Sequence, residues 1–330
     1  VDGVACSANA WLNTELLKSG IGFGGFVISD ACAVGGIRDL HLTAEEYADA
    51  AEQAIEGGLD VIFQTSYDHH LLFGPAFREG QVDSSRVDDA VARVLKAKFG
   101  LGLFEHPYLQ SGEFVEPGSA EHRELAREAA RRSFALLKND GAVLPLSDEP
   151  ASVAVIGPEA YDPRMGGYSA PPARSCGVFE GISERLGKKT AVYSSFGCGR
   201  SPSEVDDASI QEAVDLAARC DAVVIAVGIE EGEFRDRASL ALPGRQEELI
   251  TRVAALDKPV VVVLIGGSAV TMTNWLDQAP AVLAAWYPGE EGGRAVADVL
   301  FGDVSPCLLY TSDAADESSR GGGGGGGGGG

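Results

Sequence analysis

The sequence has little positive charge, and this shortage limits the partners that the protein can bind. Its 330 residues include 26 lysines and arginines but 49 aspartates and glutamates, which gives a formal net charge of −23. A surface this acidic repels the phosphates of nucleic acids and the headgroups of anionic membranes. We therefore expect neither nucleic acid nor a membrane as a partner, whereas a neutral small molecule is compatible with the charge.

Several motifs that mark common kinds of site are also absent. The six cysteines are scattered, without a Cys-x-x-Cys pair or metal-site spacing, and we favour buried free thiols over disulfides. The five histidines form no His-Glu-x-x-His motif, and no Gly-x-x-x-x-Gly-Lys-Ser/Thr phosphate loop occurs. No apolar run approaches the ~18 residues of a membrane span. The sequence therefore predicts no metal and no cofactor.

Residues 1–104 alternate between strand and helix patterns. The short apolar run 25–29 ends in Asp30, and a second run covers 59–63, so both predict short buried strands. The helical spacing of apolar residues predicts helices at 43–55 and 85–100. Such alternation favours an α/β arrangement with parallel strands.

A second α/β pattern follows the segment 105–118, which is rich in proline and glycine and predicts a linker. One long amphipathic helix is expected at 119–138. Apolar runs predict strands at 152–156, 191–194, 222–227, 260–265 and 282–285. Helices are expected between them at 205–218, 243–255 and 290–300. This order favours a mainly parallel sheet that is covered on both faces.

The end of the chain differs from the rest. Residues 321–330 are ten consecutive glycines, which cannot bury apolar surface, and residues 307–317 show neither helical nor strand periodicity. We interpret 307–330 as a disordered tail of artefactual origin, translated from sequencing adapter, and we expect no functional role for it.

Two acidic positions are candidates for chemistry. Asp30 ends a predicted buried strand, where catalytic groups of parallel barrels lie, although strand-end aspartates more often form turns or caps. Glu231 and Glu233 follow the predicted strand 222–227, at the edge where parallel sheets bind ligands. A charged loop of this kind is more often simply solvated. Neither position by itself establishes a function.

Motifs throughout residues 1–306 resemble those of family 3 glycoside hydrolases, in one common order. Gly20-Ile-Gly-Phe-Gly-Gly-Phe26, continued by Val27-Ile-Ser-Asp30, resembles the strand that carries the nucleophile of that family. Later matches, in sequence order, are Lys98-Phe-Gly-Leu-Gly-Leu-Phe104, Gly166-Gly-Tyr-Ser169, Asp236-Arg237, Leu242-Pro-Gly-Arg-Gln246 and Trp286-Tyr-Pro-Gly-Glu-Glu-Gly292. Because so many motifs keep one order, the resemblance is specific.

The resemblance implies an α/β fold in which a (β/α)8 barrel is followed by an α/β sandwich domain, with the active site between them. Residues 1–104 are then expected to be the C-terminal part of the barrel, which carries the nucleophile. Residues 119–306 are expected to be the sandwich, which carries the acid/base and has a mainly parallel sheet.

The resemblance also assigns roles to individual residues. It implies that Asp30 is the catalytic nucleophile. Glu233 is the expected acid/base, because Glu233-Phe-Arg-Asp-Arg237 keeps the family's spacing from glutamate to Asp-Arg. Glu231 keeps a Glu-Gly pair and is the reserve candidate. Ser169 matches a serine that reaches the sugar in some members of the family, so we expect it to bind substrate.

The implied activity is that of a retaining, exo-acting β-glycosidase that removes terminal β-linked glucose or xylose from oligosaccharides or glycosides. Ala31 stands where tryptophan is frequent, which resembles the xylosidase-like branch. Since only about two barrel strands can be found, we expect the chain alone to be inactive and prone to aggregation.

Two alternatives remain open from the sequence. One is a non-catalytic α/β sugar-binding module on residues 119–304. The other is the β-N-acetylglucosaminidase branch of the same family, against which Leu242-Pro-Gly-Arg-Gln246 argues, because that branch lacks this sandwich motif.

Overall fold

The computed structural model describes residues 1–63, 70–109, 112, 117–172, 174–200, 207–233 and 235–308. The chain divides into two compact units, Val1–Val115 and Glu116–Gly330, which we call unit 1 and unit 2. Residues 110, 111 and 113–116 of the predicted linker 105–118 and residues 309–330 of the predicted tail 307–330 lie outside the described residues. Cys307 and Leu308, the first two residues of the predicted tail, form a short strand instead of being disordered.

Unit 1 is mainly helical in its described part. A π-helix at Trp11–Gly20 precedes four α-helices, α1 (Ala33–Asp39), α2 (Tyr47–Glu56), α3 (His70–Arg78) and α4 (Ser84–Gly100). The helix predicted from residue 43 begins only at Tyr47, because Glu46 and Asp49 form a capping box there. It ends before Gly57, where a Cβ atom would lie 2.7 Å from the backbone of Ala8.

The two strands predicted in unit 1 are reduced to a single parallel bridge between Ile28 and Val61. Val27 O accepts hydrogen bonds from Asp60 N at 2.8 Å and Val61 N at 3.1 Å, and Ser29 N donates to Val61 O at 3.0 Å. The prediction of full strands at 25–29 and 59–63 is therefore wrong, although the segments do pair. Each has only the other as a partner among the described residues, and a two-stranded pair is marginal by itself.

A buried aspartate ties these paired segments to the helices. The Asp60 side chain is fully buried and accepts hydrogen bonds from Lys18 Nζ at 2.7 Å, from Val27 N at 2.8 Å and from Arg86. Burial alone would raise the pKa of Asp60, but these hydrogen bonds outweigh burial and lower it. The end of the second segment is thus fixed to both the π-helix and α4.

Unit 2 is built on one seven-stranded sheet among the residues that the structure describes. Its strands are β1 (Ala135–Asn139), β2 (Ser152–Ile156), β3 (Ala191–Ser195), β4 (Ala222–Gly228), β5 (Val260–Ile265), β6 (Ala281–Trp286) and β7 (Cys307–Leu308). The order is β3-β2-β4-β5-β6-β1-β7, and every pair is parallel except β1 with β6. The mainly parallel α/β sheet expected from the sequence is confirmed.

Helices cover both faces of this sheet. They are α5 (Ala120–Ser133), α6 (Val178–Leu186), α7 (Asp207–Arg219), α8 (Gln246–Ala254) and α9 (Gly292–Leu300). One apolar core includes residues of α5, α6 and α9, and the other includes residues of α7 and α8. All residues of β4 and β5 are buried as a result, which accounts for their nearly continuous apolar sequences.

The prediction of a single helix at 119–138 is wrong. Helix α5 ends at Ser133, Phe134 is extended (φ −70°, ψ 140°), and β1 starts at the next residue. Leu136 then pairs with Leu283 of β6 in antiparallel register. Pairing with the sheet satisfies the backbone hydrogen bonds of this segment. The free energy gained from this pairing outweighs the helical preference that the spacing of the leucines indicates.

The cysteine prediction is correct for only some positions. Cys6, Cys32, Cys176, Cys198 and Cys220 form no disulfide, and the last three of these are buried. Cys6 and Cys32 are exposed, so burial was the wrong expectation for these two. Both belong to unit 1, where fewer layers cover the chain.

Candidate active site

The loop that carries Glu231 and Glu233 starts at a rigid strand end. Gly228, the last residue of β4, donates from its amide to Gln246 Oε1 at 2.7 Å and accepts from Gln246 Nε2 at 2.9 Å. A Cβ atom at Gly228 would lie 1.8 Å from the carbonyl oxygen of Ile265, so glycine is required there. The buried Gln246 amide therefore fixes where the loop leaves the sheet.

Glu231 is held by both its main chain and its side chain. The Tyr287 hydroxyl accepts from Glu231 N at 2.8 Å and donates to Glu231 O at 3.3 Å. Arg237 Nε lies 2.9 Å from Glu231 Oε1, and Ser268 Oγ donates to the same oxygen. Arg237 also donates to Ser268 Oγ at 2.7 Å. The Glu231 carboxylate is thus part of an ion pair in which both side chains are 18% exposed.

Glu233 has a different environment, although it lies only two residues further along the chain. It is exposed, in a turn where Arg235 N donates to Gly232 O at 3.1 Å. No other described residue forms a hydrogen bond or ion pair with its carboxylate. Glu231 and Glu233 both line a cavity of about 480 Å³ in unit 2.

A buried glutamate fixes an arginine in the wall of this cavity. Glu159 is 1% exposed and accepts from Arg164 Nε at 2.6 Å and Arg164 Nη2 at 2.8 Å. The hydrogen bond to Glu159 raises the pKa of Arg164, whose Nη1 also lies 3.3 Å from Glu230 Oε2. The hydrogen bond from Arg235 lowers the pKa of Glu230. A chain of alternating charges thus joins the two loops that form the cavity.

Ser169 lies next to the cavity but is turned towards its own loop. Its Oγ donates to Met165 O at 2.6 Å, and its amide donates to Gly166 O at 3.4 Å. From this loop, residues Pro163 to Tyr168 line the cavity, whereas Ser169 does not. In this conformation the Ser169 hydroxyl closes the loop that borders the cavity.

Asp30 belongs to unit 1 and lies two residues after Ile28, which forms the bridge to Val61. Ser29 Oγ accepts from Phe63 N at 2.9 Å, which extends the pairing up to Asp30. The chain then turns sharply, with Cys32 in the left-handed region at φ 61°, and enters α1. Asp30 is exposed, and it lines a cavity of about 470 Å³ within unit 1. Asp30 therefore lies at the end of a paired segment, as the sequence predicts, although this segment is not a regular strand.

Several residues around Glu231 and Glu233 could not be identified from the sequence alone. Arg164 and Ser268 belong to no motif that we recognised, and only their positions in loops next to the strand ends connect them to the site. Arg237 and Tyr287 occur in recognised motifs, but the sequence does not show that both contact Glu231.

The described helices include none that is long and apolar enough to cross a membrane. The described residues also contain no cluster of three potential metal ligands.

Comparison with known proteins gives consistent matches for both units. The model of the glycosyl hydrolase family 3 N terminal domain matches residues 1–97, and that of the family's C-terminal domain matches residues 134–314. Among curated proteins, a beta-xylosidase of Formosa agariphila is 36% identical over 92% of this chain and 44% of its own length. A periplasmic beta-glucosidase of Salmonella typhimurium is 34% identical over 93% of this chain and 44% of its own.

Solved structures agree with these matches. A beta-glucosidase mutant of Listeria innocua in complex with laminaribiose superposes with a TM-score of 0.83 at 31% identity, and covers 93% of this chain. A β-glucosidase of Erythrobacter marinus has a TM-score of 0.80 at 33% identity, and covers 92% of this chain. The matched parts are 42% and 45% of those two chains, so this chain spans less than half the length of its relatives.

Proposed function

The chain belongs to glycosyl hydrolase family 3, and from this premise we propose that it supplies both catalytic carboxylates of a retaining, exo-acting β-glycosidase. The family expected from the sequence motifs is confirmed. The proposal assigns Asp30 as the nucleophile and Glu233 as the acid/base. The observation that carries it is the contrast between the exposed Glu233, which pairs with no described residue, and the ion-paired Glu231 in the same cavity.

In the first step, a carboxylate oxygen of Asp30 attacks the anomeric carbon while Glu233 donates its proton to the glycosidic oxygen. The bond to the leaving group breaks, and a covalent glycosyl-enzyme forms with the alcohol released. In the second step, the Glu233 carboxylate takes a proton from water as the water oxygen attacks the anomeric carbon, which frees Asp30. The two carboxyl groups in a retaining site lie about 5–5.5 Å apart.

The contacts of the two glutamates favour Glu233 over Glu231 for proton transfer. An acid/base must first meet the glycosidic oxygen and then a water molecule, so its carboxyl group must be accessible. Glu233 is exposed and has that freedom. Glu231 Oε1 is already engaged by Arg237 and Ser268, and its main chain is held by Tyr287. We infer that Ser169 approaches the sugar only if its hydroxyl leaves Met165 O.

The substrate class follows from the relatives. The beta-xylosidase of Formosa agariphila and the periplasmic beta-glucosidase of Salmonella typhimurium both match over more than nine-tenths of this chain, and one solved beta-glucosidase relative carries glucose. We therefore propose terminal β-linked glucose or xylose as the sugar that is released. The reaction as proposed needs only the two carboxyl groups and water.

The assay uses aryl β-xylosides and β-glucosides with the intact enzyme that contains these residues. We expect Asp30→Ala to abolish hydrolysis, because no covalent intermediate can form. Asp88 is an exposed aspartate of α4, and the control variant Asp88→Ala should leave hydrolysis unchanged. Glu233→Ala should lose about 10²–10⁴-fold in rate. Added azide should restore turnover and yield a β-glycosyl azide. Intact hydrolysis by Asp30→Ala would remove the nucleophile assignment, and an α-configured azide product would contradict the retaining mechanism.

For the 330-residue chain by itself, we expect no activity and a tendency to aggregate. Unit 1 leaves large apolar side chains exposed next to its paired segments, including Ile28 and Phe63. Apolar surface of this kind, beside unpaired backbone, is prone to self-association. A soluble and active preparation of residues 1–330 would contradict this expectation.

A further inference from the structure

We propose that Glu231 is a positioning residue, which uses Arg237, Ser268 and Tyr287 to fix the loop that presents Glu233. The inference rests on the proposed function, because it takes Glu233 as the acid/base. In this proposal Glu231 holds the loop in place and is not an alternative acid/base.

The loop that carries Glu233 is closed at its base. Glu231 and Arg237 lie on either side of Glu233 in the chain, and their ion pair closes the segment at a distance of 2.9 Å. Inside that closure, the hydrogen bond from Arg235 N to Gly232 O makes a tight turn at Glu233. A short segment that is closed at its base has few conformations, so the position of Glu233 is restricted without any contact to its carboxylate.

Glu231 also joins the ends of three neighbouring strands. Glu231 follows β4, Ser268 follows β5, and Tyr287 follows β6. Because these strands are buried and parallel, their ends form a rigid base. Residues supported on such strands are held more precisely than residues on a free loop.

The backbone around Glu231 leaves room for its contact with Tyr287. A Cβ atom at Gly267 would lie 2.9 Å from the Tyr287 ring and 3.2 Å from Glu231 Oε2. Trp286, the residue before Tyr287, has φ 54°, which is unfavourable for a bulky side chain. Such strain persists where the surrounding structure enforces it, and here it accompanies the Tyr287 contact to Glu231.

Replacement by glutamine separates a positioning role from proton transfer. Arg237 Nε and Ser268 Oγ both approach Oε1 of Glu231, and a glutamine amide oxygen can accept both hydrogen bonds. A glutamine cannot transfer a proton, so it should inactivate an acid/base as fully as alanine does. For Glu231, we expect Glu231→Gln to keep kcat within about fivefold and Glu231→Ala to lose about 10–100-fold, with KM changed much less.

The leaving group provides a second readout. The defect of Glu231→Ala should be large for alkyl glycosides, which need protonation, and small for dinitrophenyl glycosides, which do not. Azide should not restore Glu231→Ala, because the Glu233 carboxylate is still present. Gly267→Ala removes no charge but crowds Glu231, so it should reproduce part of the Glu231→Ala defect.

Two controls complete the experiment. Asp303→Asn removes an exposed ion pair with Arg185 elsewhere in unit 2 and should leave kcat unchanged. Far-UV circular dichroism and the melting temperature establish that each variant is folded. The proposal is overturned if Glu231→Gln is as inactive as Glu231→Ala, or if Glu231→Ala is fully active.

The outcome for Glu233 is read separately. If Glu233→Gln keeps full activity while Glu231→Gln loses it and Glu231→Ala is rescued by azide, the acid/base assignment itself fails and the two glutamates exchange roles. If Glu233→Gln is inactive but the Glu231 variants are unaffected, the proposed function stands and only the positioning role is lost.

Discussion

The two units bury their central segments to very different degrees. All seven residues of β4 in unit 2 are buried, and Ile225 at its centre is 0% exposed. In unit 1, Ile28 and Phe63 lie on or next to the paired segments, yet they are 50% and 47% exposed. Apolar, β-branched residues occur in the paired segments of both units, but only in unit 2 do they form a closed core.

The difference follows from the number of layers. The sheet of unit 2 has helices on both faces, so each inward side chain meets an opposing layer. The core of unit 1 is formed mainly by α1, α2 and α3, with Val34, Ile37 and Phe73 fully or almost fully buried. Its paired segments have no second partner among the described residues. The hydrophobic gain per residue should therefore be larger in unit 2.

The largest expected effect is a difference in independent folding. We expect residues 116–308 to unfold cooperatively as a separate protein, because both faces of the sheet are covered. Residues 1–115 should show no cooperative transition and should bind the dye ANS, as loosely packed chains do. Thermal unfolding followed by circular dichroism, with ANS fluorescence alongside, tests both fragments. A sharp transition in residues 1–115 would remove the contrast between the units.

The next effect concerns the buried charge of unit 1. Asp60→Asn should lower the free energy of unfolding by about 3 kcal/mol, because the buried Lys18 loses its counter-charge and Arg86 keeps only its pair with the exposed Asp89. Asp303→Asn in unit 2 breaks an exposed pair and should change it by less than ~1 kcal/mol. Urea unfolding of the intact enzyme that contains these residues gives both values, and equal losses would mean that the burial of the ion pair does not determine its contribution to stability.

The same aspartate predicts a pH dependence. Because the folded-state pKa of Asp60 is lowered, its stabilisation is complete above the unfolded-state pKa of about 4 and is lost as the pH falls through the folded-state pKa. Stability should therefore decrease below about pH 4, and Asp60→Asn should flatten this decrease. Melting temperatures between pH 7 and pH 3 test the slope. An unchanged slope in the variant would assign the acid sensitivity to other groups.

A smaller effect compares a side chain in the closed core of unit 2 with a half-exposed side chain of unit 1. Ile225→Ala should lower the free energy of unfolding by about 3 kcal/mol, because it leaves a cavity between the sheet and its helices. Ile28→Ala should lower it by less than about 1 kcal/mol, since half of that side chain already meets solvent. Comparable losses at the two positions would show that Ile28 is covered in solution.

The smallest effect concerns the rates at which the cysteine thiols react, and it involves no change in stability. Burial raises the pKa of the Cys198 thiol to about 12, and the same cause raises that of Cys176 to about 12. Both should react slowly with a disulfide reagent at pH 8, whereas the exposed Cys6 of unit 1 should react quickly. Cys6→Ser should remove part of the fast phase. Rapid labelling of Cys198 would indicate that unit 2 opens.

The sequence predicts unit 2 better than unit 1, and the reason is the same contrast. Runs such as 152–156 and 260–265 are buried on both faces, so their apolar character and their structure coincide. The runs 25–29 and 59–63 look alike in sequence but lack neighbours, and strand character depends on neighbours. For Leu136, pairing with Leu283 decides the structure, and no local pattern contains that information.

The candidate site shows the same limit. Motif spacing identified the loop with Glu231 and Glu233 and the position of Asp30. It could not tell which glutamate is paired, because that depends on Ser268 and Tyr287, which come from other strand ends. The orientation of Ser169 also depends on its contact with Met165 O, which the motif does not reveal.

The antiparallel pairing of β1 with β6 has a consequence for the order in which unit 2 is assembled. β1 is the first strand of the unit to leave the ribosome, yet its sheet neighbour β6 is made only after β2 to β5. At about 5–20 residues per second, β1 waits on the order of ten seconds for that neighbour. During this interval the leucines of β1 keep their helical spacing and have no strand to pair with. A nascent helix that later unwinds and pairs with β6 is the pathway that this topology favours.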